Sequence, residues 1–325
     1  MIHGDVRRAA LESWLRRELH GAAFSLTPAS EDASFRRYFR ATLGDGKTYV
    51  AMDAPPDKED CRPFVHVAGL LAAAGVHAPR VHAQDLNAGF LLLTDLGTRT
   101  YLQELNAANA GALLGEAIDA LLRWQLASRP GELPPYDEAL LRREMSLFPE
   151  WYVARHLKKQ LSEEQKAWLD KIFDLLVQSA LAQPVVYVHR DYMPRNLMVC
   201  EPNPGVLDFQ DAVLGPITYD MVSLVRDAFI SWNEEQVLDW SARYWEKAKR
   251  AGLPVAADFA EFWRGFEWMG LQRHLKVLGI FARINYRDGK PKYLADTPRF
   301  LGYARATAQR YAALSPLLRL LEDLA

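Results

Sequence analysis

The sequence has few cysteines, little net charge and no long apolar run. Cys61 and Cys200 are the only cysteines among 325 residues, so a disulfide framework is not expected and a reducing compartment fits. The formal net charge of −2 gives no basic excess of the kind that binds nucleic acid. No stretch approaches the roughly 20 apolar residues that cross a bilayer, and residues 1–8 lack the apolar core of a secretory signal. These absences predict a cytoplasmic protein that binds neither nucleic acid nor membranes.

Two kinds of periodicity divide the chain, whose length is sufficient for two lobes. The N-terminal part predicts a helix over 5–20, a β-hairpin over 35–43 and 48–52, a helix over 63–74 and strands at 81–83 and 90–93. Beyond residue 99 a helical period runs through 107–128, 137–160, 163–182 and from 219 to the end. We therefore predict an α+β fold with a small, mostly antiparallel N-lobe (1–95), a hinge (94–98) and a mostly helical C-lobe (99–325).

The segment from residue 184 to 212 carries the residues of a reaction centre. His189-Arg190-Asp191 is followed by Asn196, and Asp208 comes twelve residues after that asparagine. Apolar runs on each side predict a strand before the first motif and a hairpin that leads to Asp208. Phosphoryl transfer needs a carboxylate that orients the hydroxyl nucleophile, together with an amide and a carboxylate that hold Mg²⁺. The spacing therefore predicts a phosphotransferase with Asp191 as its catalytic residue and Asn196 and Asp208 as metal ligands.

Each of these residues, taken alone, also has a purely structural interpretation. Asp191 would cap a turn and Asn196 would begin a strand. Their conjunction, with strands at the expected places, favours the phosphotransferase. Two nearby groups are expected to support the loop: His189 by packing beneath it, and Asp220 by capping the following helix or by tying the loop in place.

Longer blocks of sequence resemble the aminoglycoside phosphotransferase and choline kinase superfamily, the small-molecule relatives of protein kinases. The blocks are residues 189–198, 207–212 and 215–220. Within that superfamily the chain is similar to a bacterial group of anomeric sugar kinases that act on N-acetylmuramate and N-acetylglucosamine, through residues 33–40, 52–56, 147–152 and 279–290. The resemblance runs nearly from end to end.

This resemblance implies a bilobal protein-kinase-like fold and the use of ATP and Mg²⁺. It also implies a small-molecule amino sugar as substrate, phosphorylated at its anomeric hydroxyl in peptidoglycan recycling, and a monomer is expected. Asp191 would accept a hydrogen bond from the sugar O1 hydroxyl. Arg190, Arg195 and Asp211 are candidate sugar ligands. Otherwise the two arginines would touch phosphate or Asp side chains, and Asp211 would hydrogen-bond the loop backbone or act as an outer partner of the metal.

The nucleotide side departs from the superfamily pattern. Adenine would meet the backbone of Thr94 and Leu96, with Leu93 lining its pocket. Residues 30–34 occupy the phosphate-loop position without a glycine, and Ser34 would add a hydroxyl to the backbone N–H groups there. No lysine occupies residues 50–53, where a kinase strand presents its phosphate-binding lysine.

Three arginines near that strand are candidates to replace the missing lysine. Arg37 is the first candidate, and Arg36 or Arg40 the next. Otherwise the phosphates are held differently and the three arginines cover a solvated strand face. The basic stretch 283–292, which contains glycine and proline, is expected to form a loop near the active site.

Two other functions stay open from sequence. The first is another small-molecule kinase of the superfamily, acting on an antibiotic, choline or homoserine. The second is a nucleotide-binding regulator without catalysis, which only the missing lysine suggests. The intact Asp191, Asn196 and Asp208 argue against that regulator.

Overall fold

A computed structural model describes residues 5–30 and 35–324. The chain forms two compact units: the first contains the residues up to Asn106 together with Arg195–Asp211, and the second contains Ala107–Pro194 and the residues from Ala212 onward. The hinge at 94–98 and the lobe boundaries on either side of it stay a prediction. Within the described ranges, no helix combines the length and apolar composition that crossing a membrane requires.

The strands are β1 Phe24–Ser30, β2 Arg37–Leu43, β3 Thr48–Asp53, β4 Val81–Asp85, β5 Phe90–Thr94, β6 Val185–Val188, β7 Leu197–Met198, β8 Gly205–Val206 and β9 Val213–Pro216. The α-helices are α1 Val6–Glu18, α2 Arg62–Ala73, α3 Tyr101–Glu104, α4 Ala110–Leu126, α5 Glu138–Leu147, α6 Glu163–Leu181, α7 Tyr219–Val225, α8 Glu234–Arg250, α9 Phe259–Asp288, α10 Thr297–Arg310 and α11 Ser315–Asp323. A π-helical segment covers Phe148–His156, and 3₁₀ turns cover Pro194–Asn196, Pro291–Asp296 and Ala312–Leu314.

The first unit is built on an antiparallel sheet in the order β1-β2-β3-β5-β4. The alternating pattern of β2 and β3 places Phe39 opposite Ala51 in the ladder. Both side chains are buried against α1, where Trp14 packs on Phe90 with ring centroids 5.8 Å apart. The hairpin predicted over 35–43 and 48–52 and the helix predicted over 5–20 are therefore confirmed, because period-two and period-3.6 patterns identify the buried side of each element.

An ion-pair network centred on a buried carboxylate fastens α1 to this face of the sheet. Asp53, at the end of β3, is fully buried and accepts hydrogen bonds from Arg7 Nε at 2.8 Å and Arg37 Nε at 3.0 Å. Arg37 also pairs with Asp5, the residue that caps the first turn of α1. A buried carboxylate requires such partners, because an unpaired charge in the interior is strongly unfavourable.

The second unit is organised around α9, the longest of its helices. Its buried residues continue through most of its length, and it packs against α5, the π-helical segment, α6 and α10. Close approach is possible at Gly279, where any Cβ would overlap the backbone carbonyl of Leu147. Gly279 thus permits a contact between main chains that no other residue type allows.

Two sequence predictions for this unit were wrong in detail. The helix expected over 137–160 changes character at Pro149, which has no N–H to continue the α-helical ladder; the segment Phe148–His156 is π-helical, and Leu157 N–H donates to the Tyr152 carbonyl. The loop expected over 283–292 is largely helix, because α9 continues to Asp288 and stops only where Gly289 adopts a left-handed φ of +67°.

We predict that Gly279→Ala destabilises the protein although alanine favours helices. Overpacking typically costs about 1–3 kcal/mol, which outweighs the gain of about 1 kcal/mol from helix propensity. Gly302→Ala is the matched control, because Gly302 lies within α10 and a methyl group added there would meet no described heavy atom of a neighbouring element within 4 Å. Chemical unfolding should show a lower free energy of unfolding for Gly279→Ala and a slightly higher one for Gly302→Ala. An equal increase in both variants would contradict the close contact at Leu147.

Candidate active site

A cavity of about 310 Å³ lies within the first unit. Its apolar walls include Val50 of β3 and Leu93 of β5, and its polar end includes Asn196 and Asp208. The structure therefore places residues from the predicted adenine segment and the predicted metal ligands in one cavity. The other contributors relevant to the sequence predictions are Arg40, Thr94, Leu96 and Arg195.

Asn196 and Asp208 lie side by side at the polar end of this cavity. Asn196 Nδ2 donates to Asp208 Oδ2 at 3.3 Å, and the Leu207 N–H donates to the Asn196 carbonyl at 2.9 Å. Asp208 has a φ of +62°, an unfavourable conformation for a residue with a side chain. The next residue, Phe209, is fully buried against Phe64 of α2, with ring centroids 4.6 Å apart. Packing of Phe209 therefore anchors the strained position of Asp208.

Asp211 is exposed and connected to Asp208 through a glutamine. Gln210 Nε2 lies 2.9 Å from Asp208 Oδ1 and 3.5 Å from Asp211 Oδ2. Asp211 as an outer partner of the metal, one of the roles expected for it, stays a prediction. Ser34, the predicted phosphate-loop hydroxyl, lies outside the described residues.

The three candidate arginines have different surroundings. Arg37 points to the α1 face, where its guanidinium pairs with Asp5 and Asp53. This corrects the choice of Arg37 as the phosphate ligand: side chains alternate along β2, and the cavity is lined by Tyr38 and Arg40 from the opposite face. Arg37 therefore holds α1 on the sheet.

Arg40 fixes the segment predicted to be the hinge. Its Nε and Nη2 atoms contact the two carboxylate oxygens of Asp95 at 2.6 and 3.0 Å, and Nη2 also donates to the Gly97 carbonyl at 2.9 Å. A two-pronged ion pair of this kind is both strong and directional. Arg40 therefore shapes the cavity wall, and its guanidinium is occupied by protein groups.

Arg36 is the third candidate to replace the missing lysine. It immediately precedes β2 and is half-buried. Burial lowers its pKa, but the charges of Tyr38, Asp208, Glu59 and Asp211 outweigh this effect and raise it. Arg36 thus lies in the field of the predicted metal ligand Asp208, a relation that sequence spacing did not reveal.

In the second unit, the loop that carries Asp191 follows β6. The backbone N–H groups of His189 and Arg190 donate to the two oxygens of Asp220 at 2.7 and 3.0 Å. The Asp191 N–H in turn donates to His189 Nδ1 at 3.2 Å. Asp220 therefore ties the loop in place, as one of its two expected roles, while Thr218 occupies the cap position of α7. His189 packs beneath the loop as expected, with its ring edge-on to Tyr192.

Arg190 leads to a buried network that sequence analysis missed. Its Nη2 lies 2.5 Å from Glu144 Oε1, and Lys276 Nζ lies 2.9 Å from the same oxygen. Burial raises the pKa of Glu144, but Lys276, Arg190 and a hydrogen bond from Tyr136 lower it to about 2. Glu144 and Lys276 belong to helices α5 and α9, which are remote in sequence, so no local motif indicated them. Arg190 is thus held by Glu144 beside the predicted catalytic residue.

Comparisons with known proteins place the chain in a family. The profile described as the phosphotransferase enzyme family matches residues 25–257, and the chain belongs to that family. A Pseudomonas putida protein named N-acetylmuramate/N-acetylglucosamine kinase is 55% identical over 334 aligned residues, which cover 100% of this chain and 98% of that protein. A protein of the same name from Pseudomonas aeruginosa is 59% identical over 299 residues, covering 92% and 88%.

A solved structure supports the fold independently. The ADP-bound aminoglycoside phosphotransferase APH(2'')-Ib has a TM-score of 0.59 at 15% identity, covering 91% of this chain and 97% of that one. Similarity at this identity concerns the fold alone. The α+β, kinase-like fold, the superfamily resemblance and the assignment as an ATP-dependent phosphotransferase are confirmed.

We predict that Asp220 makes the stability of the protein depend on pH. Burial raises its pKa from 3.8 to about 7, against the hydrogen bonds from His189 and Arg190. The native state then retains a proton that the unfolded chain releases, so this stabilisation is complete below pH 3.8 and is lost as pH rises to about 7. The loss amounts to about 4 kcal/mol at most, at roughly 1.4 kcal/mol per pKa unit.

Urea unfolding of wild type and Asp220→Asn between pH 4.5 and 7.5 measures this effect. The difference in free energy of unfolding between wild type and the variant should become smaller as pH rises, because only wild type carries the buried carboxyl group. Asp170→Asn, the same change on the exposed side of α6, should give a curve parallel to wild type. A difference between wild type and Asp220→Asn that stays constant with pH would contradict the raised pKa.

Proposed function

We propose that this chain transfers the γ-phosphoryl group of ATP to the anomeric hydroxyl of N-acetylmuramate and N-acetylglucosamine. The observation that carries the proposal is its 55% identity, over its entire length, to a protein named for both sugars. Production of a sugar 1-phosphate in the cytoplasm by a monomeric enzyme fits a role in peptidoglycan recycling. Neither nucleic acid nor a membrane is required as a partner.

Asp191 is the proposed catalytic residue. Its carboxylate accepts a hydrogen bond from the sugar O1 hydroxyl and takes the proton late, as the bond from oxygen to phosphorus forms. An anomeric hydroxyl is more acidic than an ordinary alcohol, so its proton needs no strong base. The bonds from the loop N–H groups to Asp220 and His189 support this role because they limit movement of the Asp191 backbone.

Asn196 and Asp208 are the proposed Mg²⁺ ligands. An amide oxygen and a carboxylate are hard donors of the kind Mg²⁺ prefers, and this ion usually completes its coordination with phosphate and water. The contact between Asn196 Nδ2 and Asp208 Oδ2 supports the fit, since it holds the two side chains together. When bound, the ion neutralises charge on the phosphate oxygens.

The nucleotide would occupy the cavity of the first unit. Adenine would contact Leu93 and the backbone of Thr94 and Leu96, which line the cavity. The Thr94 N–H already donates to the Arg80 carbonyl at 3.0 Å, so the Thr94 carbonyl is the group proposed for adenine. Arg36 would take the phosphate-binding role of the absent lysine, because it is half-buried and shares the field of Asp208.

We predict sugar-dependent release of ADP that requires Asp191. Asp191→Asn should lower kcat by about 100-fold or more, the usual contribution of a positioned acid–base group, while ATP still binds. A coupled assay of ADP release, with phosphorus NMR of the product, measures both rate and position of transfer. Asp170→Asn is the matched carboxylate-to-amide control and should behave like wild type.

Other acceptors provide the decisive comparison in this assay. Choline, homoserine and an aminoglycoside should give no ADP above background. Preferential turnover of one of these, or phosphate on a sugar hydroxyl other than O1, would assign the chain to another member of the superfamily. Nucleotide binding without turnover of any acceptor would favour the regulator.

We also predict that mutation distinguishes the proposed Mg²⁺ ligand Asp208 from the proposed phosphate ligand Arg36. Asp208→Asn should weaken ATP binding mainly by raising the Mg²⁺ concentration needed, and Arg36→Met should weaken ATP but not adenosine. Each loss should be about tenfold or more, since a hydrogen bond to a charged group contributes about 1.5–3 kcal/mol. Calorimetric titrations with ATP and adenosine measure this, with exposed Arg62→Met as the control. Unchanged ATP affinity in Arg36→Met would contradict the role of Arg36 and assign phosphate binding to another cation.

A further inference from the structure

An ion pair in the wall of the first unit's cavity encloses a short piece of main chain. Arg40 of β2 pairs with Asp95, which directly follows β5, and their side chains are 21% and 4% exposed. Arg40 Nη2 also donates to the Gly97 carbonyl at 2.9 Å, while the Gly97 N–H donates to Asp95 Oδ1 at 2.9 Å. The pair therefore fixes both peptide groups of Gly97 relative to Asp95.

The carboxylate of Asp95 is ionised and fully occupied by protein groups. Burial raises its pKa, but hydrogen bonds from Arg40, the Gly97 N–H and Thr48 outweigh this effect, and the pKa is lowered overall. An ionised carboxylate accepts about four hydrogen bonds. Arg40 Nε and Nη2 supply two of them, and Gly97 and Thr48 supply one each. Asp95 lines the cavity but keeps no acceptor position for a ribose hydroxyl.

Thr94, the residue before Asp95, is held from the direction of β4. Its N–H donates to the Arg80 carbonyl at 3.0 Å, and its hydroxyl oxygen accepts the Arg80 N–H at 3.3 Å. His82 Nε2 lies 2.9 Å from the same hydroxyl oxygen. Because β5 lies between β3 and β4 in the sheet, residues 94–97 are fixed by groups from more than one neighbouring strand.

Leu96 lies between the two residues that this ion pair fixes. It is buried and lines the cavity, and its side chain is close to β8, since a Cβ added to Gly205 would lie 2.8 Å from Leu96 Cδ1. Within the described part of the chain, neither the N–H nor the carbonyl of Leu96 has a hydrogen-bond partner. Buried main-chain groups normally have one. Adenine carries an amino donor and ring-nitrogen acceptors that suit such a pair of groups.

We propose that Arg40 and Asp95 are positioning residues for adenine, which hold the backbone of Leu96 where the base binds without touching the nucleotide themselves. This inference rests on the proposed function and concerns how its nucleotide is bound. A two-pronged pair of arginine and carboxylate fixes direction as well as distance. A segment whose shape is set in advance avoids the cost of ordering on binding. Arg40, a candidate phosphate ligand from sequence, thus acts at the base end of the nucleotide.

Arg40→Met distinguishes a role at the base from a role at the phosphates. Calorimetric titration should show that the Kd values for adenosine and for ATP rise by the same factor. We expect about tenfold, as when the binding-competent arrangement falls to about one tenth of the population. The kcat at saturating ATP and the KM for the sugar should stay as in wild type, because the reacting atoms are unaffected. Arg62→Met, which breaks an exposed pair with Asp60 in the same unit, is the matched control and should bind like wild type.

A second variant guards against misfolding, because Arg40→Met alone deprives the buried Asp95 carboxylate of its cation. The double variant Arg40→Met/Asp95→Asn removes both charges together, so no unpaired charge is left, and it should show the same loss of adenosine affinity. Adenosine binding as in wild type in the double variant would overturn the positioning role. A loss confined to ATP would also overturn it and place Arg40 at the phosphates. A wild-type protein that binds neither ATP nor adenosine would instead overturn the proposed function itself.

Discussion

The proposed chemistry depends first on how the backbone around Asp191 is held. A carboxylate can orient a hydroxyl only if its own position is stable, and Asp191 lies in a loop without regular secondary structure. Asp220 accepts hydrogen bonds from the two residues before it, and the His189 ring accepts the N–H of Asp191 itself. These acceptors are buried, where loss of a hydrogen bond is expensive because water cannot replace it. The loop is therefore fixed through its backbone N–H groups.

Both units contain a buried carboxylate that is shared by two cations. At Asp53 the cations are Arg7 and Arg37, and Asp5 supplies a second carboxylate to Arg37. That network is balanced within the protein and serves to hold α1 on the sheet. At Glu144 the cations are Arg190 and Lys276, which belong to the Asp191 loop and to α9. The same arrangement of charges thus joins a helix to a sheet in one unit and a loop to two helices in the other.

Local patterns predicted the fold well where one face of an element is buried and the other is not. The hairpin of β2 and β3 and the helices α1 and α2 fall within a few residues of the expected positions. The errors occurred where one residue changed the backbone without changing the apolar pattern. Pro149 converts a predicted α-helix into a π-helical segment. The basic stretch 283–292, which contains glycine and proline, suggested a loop although α9 continues to Asp288. Composition describes solvent exposure there, but exposed charge is equally compatible with a helix.

The sequence alone determined the class of chemistry, because Asp191, Asn196 and Asp208 lie close enough along the chain for their spacing and strand context to identify them. It also indicated that the usual lysine is absent. Only the tertiary structure decided that Arg37 faces α1 while Arg40 lines the cavity of the first unit, since successive residues of a strand point to opposite faces and α1 covers one of them. It alone brought Glu144 and Lys276 to Arg190, because ion pairs between distant helices depend on how those helices pack and leave no periodic signal in the chain.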